Sequence, residues 1–206
     1  MMINTGIFIY NEVEVLDFAG PFEVFTTASR VKSRQTKDAE LLFNVFTIGE
    51  KKETIMARGG LSILPEYDIT RHPALDLLIV PGGVVTLELE KTHIIDWIRR
   101  TPPQITASVC TGAFLLAKAG LLASKKATTH WEDIPDLEAL FPDIEVKRNL
   151  SWVDEGRVVT AAGISAGIDM SLYLVSRLAD MELALDTARQ MEYIWNQNPL
   201  ERGNIL

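Results

Sequence analysis

The sequence has 206 residues, of which 47% are hydrophobic and 23% charged, and its formal net charge is −8. This length and composition predict a single folded domain over residues 1–206 and exclude a mainly disordered chain. Because a nucleic-acid partner requires a basic face and the excess charge here is acidic, we expect no nucleic-acid binding.

Short β-branched runs alternate with longer helical patterns along the chain. This alternation is typical of an α/β fold in which a mostly parallel central sheet carries helices on both faces. The predicted strands cover residues 7–10, 41–48, 75–80, 105–109, 144–147, 151–153 and 158–160, with a small hairpin over 54–57 and 61–64. The predicted helices cover residues 21–33, with Pro21 at the first position, and 86–100, 112–122, 166–178 and 182–195.

The chain contains one cysteine, Cys110, so an intrachain disulfide framework is excluded. The N-terminal residues lack the basic segment and long apolar segment of a secretory signal peptide. No apolar stretch reaches the length needed to span a bilayer. We therefore expect a cytoplasmic protein without a membrane partner.

Cys110 stands where a predicted buried strand ends and a helix begins, and Gly112 permits a tight turn between them. Open α/β sheets bind ligands at the carboxyl ends of their strands. A helix N-terminus also favours the thiolate form of cysteine. Lone cysteines are most often simply buried, but this junction predicts that Cys110 is a nucleophile at the ligand edge.

Two further segments are expected at the same edge. Gly82 and Gly83 follow a predicted strand, and their backbone N–H groups can approach a developing anion closely. Asp17 is a lone carboxylate among apolar neighbours, and burial would raise its pKa enough for it to act as a proton donor. Asp17 is equally well placed to be the N-cap of a helix beginning near Pro21, and spacing alone does not separate the two roles.

Gly163, Ser165 and Gly167 match the pattern G-x-S-x-G of serine hydrolases. In an α/β-hydrolase the catalytic histidine follows the serine, whereas all three histidines of this chain precede Ser165, so that class is excluded. We expect Ser165 to line a pocket wall. His130 is placed to line the pocket near Cys110, and the scattered histidines do not predict a metal site.

Four motifs lead to a family resemblance, and they lie at 81–83, 107–117, 127–131 and 160–169. Over essentially its whole length the sequence resembles the DJ-1/PfpI superfamily, also called ThiJ/PfpI, whose domain is class I glutamine amidotransferase-like. Within that superfamily, residues 16–21 and 128–131 are similar to the branch of the isonitrile hydratases. The same branch contains the amidase-like sensor domains of AraC-type transcriptional regulators.

The resemblance implies a flavodoxin-like sandwich, a homodimer and a nucleophilic Cys110 that is hydrogen-bonded by Asp17. Thr111 departs from the protease-like members, which carry histidine after the nucleophile, so peptidase activity is not expected. It matches the isonitrile hydratase pattern, in which the threonine assists the Cys–Asp pair. The regulators continue into a helix-turn-helix domain, for which a chain ending at Leu206 is expected to have no room.

The leading hypothesis is therefore hydration of an isonitrile, a small-molecule substrate, to an N-substituted formamide without a metal or organic cofactor. One alternative is another cysteine-dependent hydrolase or amidase acting on small molecules. The other is a non-enzymatic module that senses a ligand or the redox state through Cys110.

Overall fold

A computed structural model describes residues 2–36, 41–101 and 103–199. Its strands are β1 (Ile3–Phe8), β2 (Phe43–Gly49), β3 (Ile55–Met56), β4 (Ser62–Ile63), β5 (Tyr67–Asp68), β6 (Leu77–Val80), β7 (Ile105–Val109), β8 (Lys126–Ala127), β9 (Glu145–Val146), β10 (Trp152–Asp154) and β11 (Val158–Ala161). Its helices are α1 (Val15–Thr36), α2 (Thr86–Glu90), α3 (Thr92–Arg100), α4 (Gly112–Lys118), α5 (Ile134–Leu140), α6 (Ala166–Leu178) and α7 (Met181–Gln190).

Seven strands form the central sheet in the order β10-β11-β7-β6-β1-β2-β5. Neighbouring strands are parallel except for the antiparallel pair β10–β11. The strand order reverses beside β1, which lies between β2 and β6, and such a reversal opens a crevice at the carboxyl edge of a parallel sheet. The predicted flavodoxin-like fold with a mostly parallel sheet is confirmed.

Two groups of helices flank this sheet: α1, α6 and α7 contact one another, as do α2, α3 and α4. Strands β6 and β7 are buried along their whole length, as expected of parallel strands covered on both faces. Helix α4 is buried except at its final lysine, which agrees with its apolar sequence. Within the described residues, no helix is both long and apolar enough to cross a membrane.

The start of the first helix differs from the prediction. Helix α1 begins at Val15, and Pro21 lies inside it instead of at its first position. Proline favours the first position of a helix because the N–H group that it lacks would have no partner there. One missing hydrogen bond inside a helix does not prevent that helix when its apolar face is buried. The shift places Asp17 in the first turn of α1, so Asp17 is not the N-cap of a helix starting near Pro21.

Other differences concern boundaries. The predicted helix 86–100 is two helices, because the backbone leaves the helical region at Lys91, where ψ is 90°. The strand predicted at 7–10 is β1, which begins at Ile3 and ends at Phe8. The helices predicted to reach residues 122 and 195 end at Lys118 and Gln190. Strand β5 and helix α5, which were not predicted, complete the fold.

Candidate active site

Cys110 lies at the turn between β7 and α4, as predicted. Its backbone adopts the left-handed conformation, with φ of 56°, which is uncommon outside glycine and is found often at functional sites. The Cys110 carbonyl oxygen accepts a 2.8 Å hydrogen bond from the Thr129 hydroxyl. Gly112 is required next to this turn, because a Cβ there would lie 2.1 Å from the carbonyl oxygen of Val80. The cysteine is therefore held by backbone contacts on several sides.

The thiol of Cys110 is not the low-pKa group that its position predicted. Cys110 is 7% exposed, and burial, followed by the negative charge of Asp17, raises the pKa of its thiol to about 12. The backbone N–H groups of Thr111 and Ile164 act in the opposite direction but are outweighed. The prediction of a resting thiolate was wrong because a short helix N-terminus does not compensate for desolvation beside a carboxylate.

Asp17 is fully buried beside this thiol. Its Oδ2 accepts a 3.0 Å hydrogen bond from the Gly82 N–H, whereas no described group meets hydrogen-bond geometry at its buried Oδ1. The Cys110 thiol is nevertheless close enough to stabilise the carboxylate by hydrogen bonding. Burial prevails over these two contacts and raises the pKa of Asp17 to about 7. At neutral pH Asp17 therefore exchanges its proton readily while Cys110 keeps its own.

Thr111 and Gly83 are joined by two hydrogen bonds. The Thr111 hydroxyl accepts a 2.9 Å hydrogen bond from the Gly83 N–H and donates one of 2.9 Å to the Gly83 carbonyl oxygen. The hydroxyl thus engages the glycine loop, and neither Gly82 nor Gly83 has a free N–H in this structure. A Cβ on Gly82 would lie 2.6 Å from the Thr111 nitrogen, so the two loops meet closely.

Ile164 is a site residue that the sequence analysis missed. Its backbone N–H faces the Cys110 sulfur, and its φ of 44° is a rare conformation for a β-branched residue. Ile164 lies within the G-x-S-x-G match, so a motif rejected as a serine nucleophile supplies a backbone donor instead. No side-chain property could have identified it, because only the main chain takes part.

His130 and Ser165 lie at the wall of the site. The His130 ring packs so closely on Gly163 that a Cβ there would be 2.1 Å from its Cδ2 atom. Its Nδ1 atom is 3.3 Å from Oδ2 of Asp133. Ser165 is half-buried and follows Ile164 at the start of α6. That His130 and Ser165 line a pocket stays a prediction.

Among the described residues, no group of three or more His, Cys, Asp or Glu side chains is arranged to bind a metal ion. The described polar groups that act most strongly on the thiol are the Asp17 carboxyl group and the backbone N–H groups of Thr111 and Ile164. Chemically, this arrangement combines a protonated thiol, a carboxyl group with a pKa near neutrality that can accept its proton, and donors for negative charge on sulfur.

Comparison with known proteins gives the family. The family model described as the DJ-1/PfpI family matches residues 5–177. The chain belongs to the DJ-1/PfpI family. A relative in this family, an isonitrile hydratase from Pseudomonas putida, is 32% identical over 196 residues, which is 94% of this chain and 79% of that protein.

The family also includes regulators. The transcriptional regulator GbdR of Pseudomonas aeruginosa is 27% identical over 193 residues, or 92% of this chain, and the chain spans about half the length of that regulator. Among solved structures, a ThiJ/PfpI family protein from Pseudomonas syringae has a TM-score of 0.82 at 24% identity, covering 99% of this chain and 80% of that one. Drosophila melanogaster DJ-1beta has a TM-score of 0.80 at 18% identity, covering 95% and 100%. These structures support the fold.

Proposed function

We propose that this protein hydrates isonitriles to N-substituted formamides with Cys110 as the nucleophile. The observation that carries the proposal is the buried pair of the Cys110 thiol and the Asp17 carboxyl group. The pKa of the Asp17 carboxyl group is raised to about 7. The similarity to an isonitrile hydratase supports the same reaction. Such a reaction needs a nucleophile and a group that takes up and returns protons near neutral pH.

In the first step the Cys110 sulfur forms a bond to the terminal carbon of the isonitrile. The Asp17 carboxylate accepts the thiol proton and delivers it to the same carbon, so the product is a neutral thioimidate, Cys110–S–CH=N–R. The N–H groups of Thr111 and Ile164 face the sulfur and stabilise the negative charge that develops on it as the proton leaves.

In the second step water adds to the thioimidate carbon. Asp17 accepts a proton from the water as the C–O bond forms and delivers it to the nitrogen, which gives the tetrahedral adduct Cys110–S–CH(OH)–NH–R. As this adduct collapses, the C–S bond breaks, and Asp17 accepts the hydroxyl proton and returns it to the sulfur. The sum is R–N≡C plus water giving R–NH–CHO, with enzyme unchanged. In this proposal the Thr111 hydroxyl positions the Gly82–Gly83 loop, and through Gly82 it positions Asp17.

The test is turnover of one aliphatic and one aromatic isonitrile, followed by the appearance of the formyl proton in NMR spectra. We expect activity in the native protein and none above background in Cys110→Ala, with folding checked by circular dichroism. Asp17→Asn keeps an oxygen for the Gly82 N–H and should lower kcat/KM by about 10²–10⁴-fold. Simple amides and 2-oxoaldehydes are assayed in parallel. Cys110-dependent turnover of those compounds alone would show that the site belongs to another cysteine-dependent hydrolase.

A sensing function is the second candidate, because the chain is similar to the regulator GbdR over most of its length. A sensor would bind a small molecule at this site or register oxidation of Cys110. Detection of oxidised Cys110 by mass spectrometry after mild peroxide treatment, together with absence of turnover for every compound of the panel, would favour a sensing function.

The homodimer expected from the resemblance stays a prediction, which light scattering would check.

A further inference from the structure

The residues that follow Thr129 form an edge of the Cys110 site. Thr129 is hydrogen-bonded to the Cys110 carbonyl oxygen, and the neighbouring His130 ring rests on Gly163. The short helical turn Trp131–Asp133 comes next. We call this turn the rim. Because Gly163 adjoins Ile164, whose N–H faces the sulfur, the rim lies next to the Cys110 site.

The rim carries an exposed aromatic surface. Trp131 is 65% exposed, whereas Trp152 in the sheet is 3% exposed. The ring centroids of Trp131 and His130 are 5.8 Å apart with a tilt of 37°, so the histidine supports the indole. An open indole face beside a binding site attracts positively charged groups through the negative potential above the ring.

The charges near the rim are mainly negative. Glu132 and Asp133 belong to it, and Asp136 follows in the first turn of α5. Arg58 is a cation that acts on the Asp17 carboxyl group, and its Nη1 lies 3.2 Å from Oε2 of Glu14, so its charge is already paired. The negative charge of Asp133 acts on the Cys110 thiol, which shows that the rim and the sulfur interact electrostatically.

The interior of the site adds the fully buried carboxyl group of Asp17, whose donors among the described residues are the Gly82 N–H and the Cys110 thiol. We propose that the rim is the specificity-determining element of the Cys110 site and that it favours substrates carrying a positively charged group over those carrying an anion. This rests on the proposed function only in taking Cys110 as the reacting group. In the proposed reaction, the positive charge would be on the R group of the isonitrile, near Trp131 and Asp133.

The test uses three methanethiosulfonate reagents that carry a trimethylammonium group, a methyl group or a sulfonate group. The Cys110 sulfur attacks the reagent's thiol-derived sulfur, forming a mixed disulfide and releasing methanesulfinate, with the thiol proton lost to solvent. Rates are measured by mass spectrometry of the intact protein and divided by the rates for a neutral cysteine peptide. We expect the normalised cationic rate to exceed the anionic rate by about tenfold at low ionic strength.

Three variants locate the effect. Asp133→Asn and Glu132→Gln should each reduce the cation-to-anion ratio several-fold, and about 1 M salt should reduce it similarly. Trp131→Leu should lower the cationic rate and leave the anionic rate unchanged. The matched control is Glu182→Gln, an exposed carboxylate in the first turn of α7, which follows the end of the 13-residue helix α6 that is remote from Ser165. The control should keep the native ratio.

A native ratio near one, or one that the rim variants leave unchanged, would overturn the rim proposal. The readout is independent of turnover. Charge-selective labelling in a protein that does not hydrate isonitriles would contradict the proposed function and support the rim. Hydration of isonitriles without charge-selective labelling would support the proposed function and contradict the rim proposal.

Discussion

The backbone N–H of Gly82 donates a 3.0 Å hydrogen bond to Oδ2 of Asp17, so the loop after β6 fixes a carboxyl group carried by α1. This bond orients the second carboxyl oxygen and stabilises the ionised form against the cost of burial. The site is therefore assembled from segments distant in sequence, and each of its contacts can be changed separately.

The first prediction concerns the reactivity of Cys110. In Asp17→Asn the thiol loses a neighbouring negative charge, so its pKa should fall below the native value of about 12. The rate of alkylation by iodoacetamide, a neutral reagent, is measured as a function of pH, with a free cysteine peptide as reference. An unchanged pH profile in the variant would mean that Asp17 does not act on the thiol electrostatically.

The second prediction concerns stability. The pKa of Asp17 is about 7 when folded and near 3.8 in the unfolded chain, so the folded state binds more protons between these values. The contribution of Asp17 to the free energy of unfolding is therefore greatest below about pH 4 and is lost as the pH rises through about 7. At about 1.4 kcal/mol per pKa unit, the loss is on the order of 4 kcal/mol.

Urea unfolding of the native protein and Asp17→Asn at several pH values checks this prediction. The free energy of unfolding of the native protein should fall relative to that of the variant between about pH 4 and about pH 8. The control is Asp143→Asn, which changes an exposed carboxylate. If the free energies of unfolding of the native protein and Asp17→Asn change with pH in parallel, the pKa of Asp17 is not raised.

The third prediction concerns the rate of the proposed reaction. If the Asp17 carboxylate accepts the thiol proton, kcat/KM should rise with pH through an apparent pKa of about 7. The rise should not follow the ordinary titration of a free thiol, because the pKa of Cys110 is raised to about 12. Steady-state rates across that pH range decide between the two profiles.

The fourth prediction concerns Gly82. A methyl group there would approach the backbone nitrogen of Thr111 and the Cβ of Cys110 to less than 3 Å, and backbone atoms cannot yield as a side-chain tip can. Gly82→Ala should lower the free energy of unfolding by about 1–3 kcal/mol and reduce turnover. Gly20→Ala is the control, because the nearest atoms to its new methyl group belong to the side chains of Ile168 and Leu16 and not to the backbone of another segment. Equal effects of the two substitutions would argue against this packing.

The fifth prediction concerns the Thr111 hydroxyl. Thr111→Val keeps the side-chain shape but leaves the Gly83 N–H and carbonyl oxygen without their partner, at a cost of about 1–2 kcal/mol. Turnover should fall because the loop that holds Asp17 loses its support, and Thr111→Ser should restore both properties in part. Thermal unfolding and kcat would be compared for the three proteins. A native unfolding temperature and a native kcat for Thr111→Val would show that the Thr111 hydroxyl does not support the site.

Much of the fold can be predicted from the sequence, because its apolar runs are long and end at turn-forming residues. Strand β7 and helix α6 have the predicted limits, 105–109 and 166–178, since apolar runs end there at turn-forming residues. The meeting of Asp17, Gly82 and Cys110 also follows, because their segments reach one edge of a parallel sheet.

Other properties of the site depend on balances that a residue pattern does not contain. The pKa of Cys110 results from burial and a carboxylate acting against two N–H donors, and only the geometry shows which prevails. The start of α1 was missed because the tertiary packing of its first turn outweighs the local preference of Pro21. Ile164 was missed because it acts through its amide.

That last feature has a practical consequence for engineering. Since Ile164 offers the sulfur only its main-chain N–H, its side chain, which is 37% exposed, is not tied to the reaction. Asparagine and glycine adopt a positive φ more readily than isoleucine, so they should preserve the donor while changing the shape and polarity beside it. Position 164 is thus a place where a library of variants could change which compounds reach the site without altering Cys110.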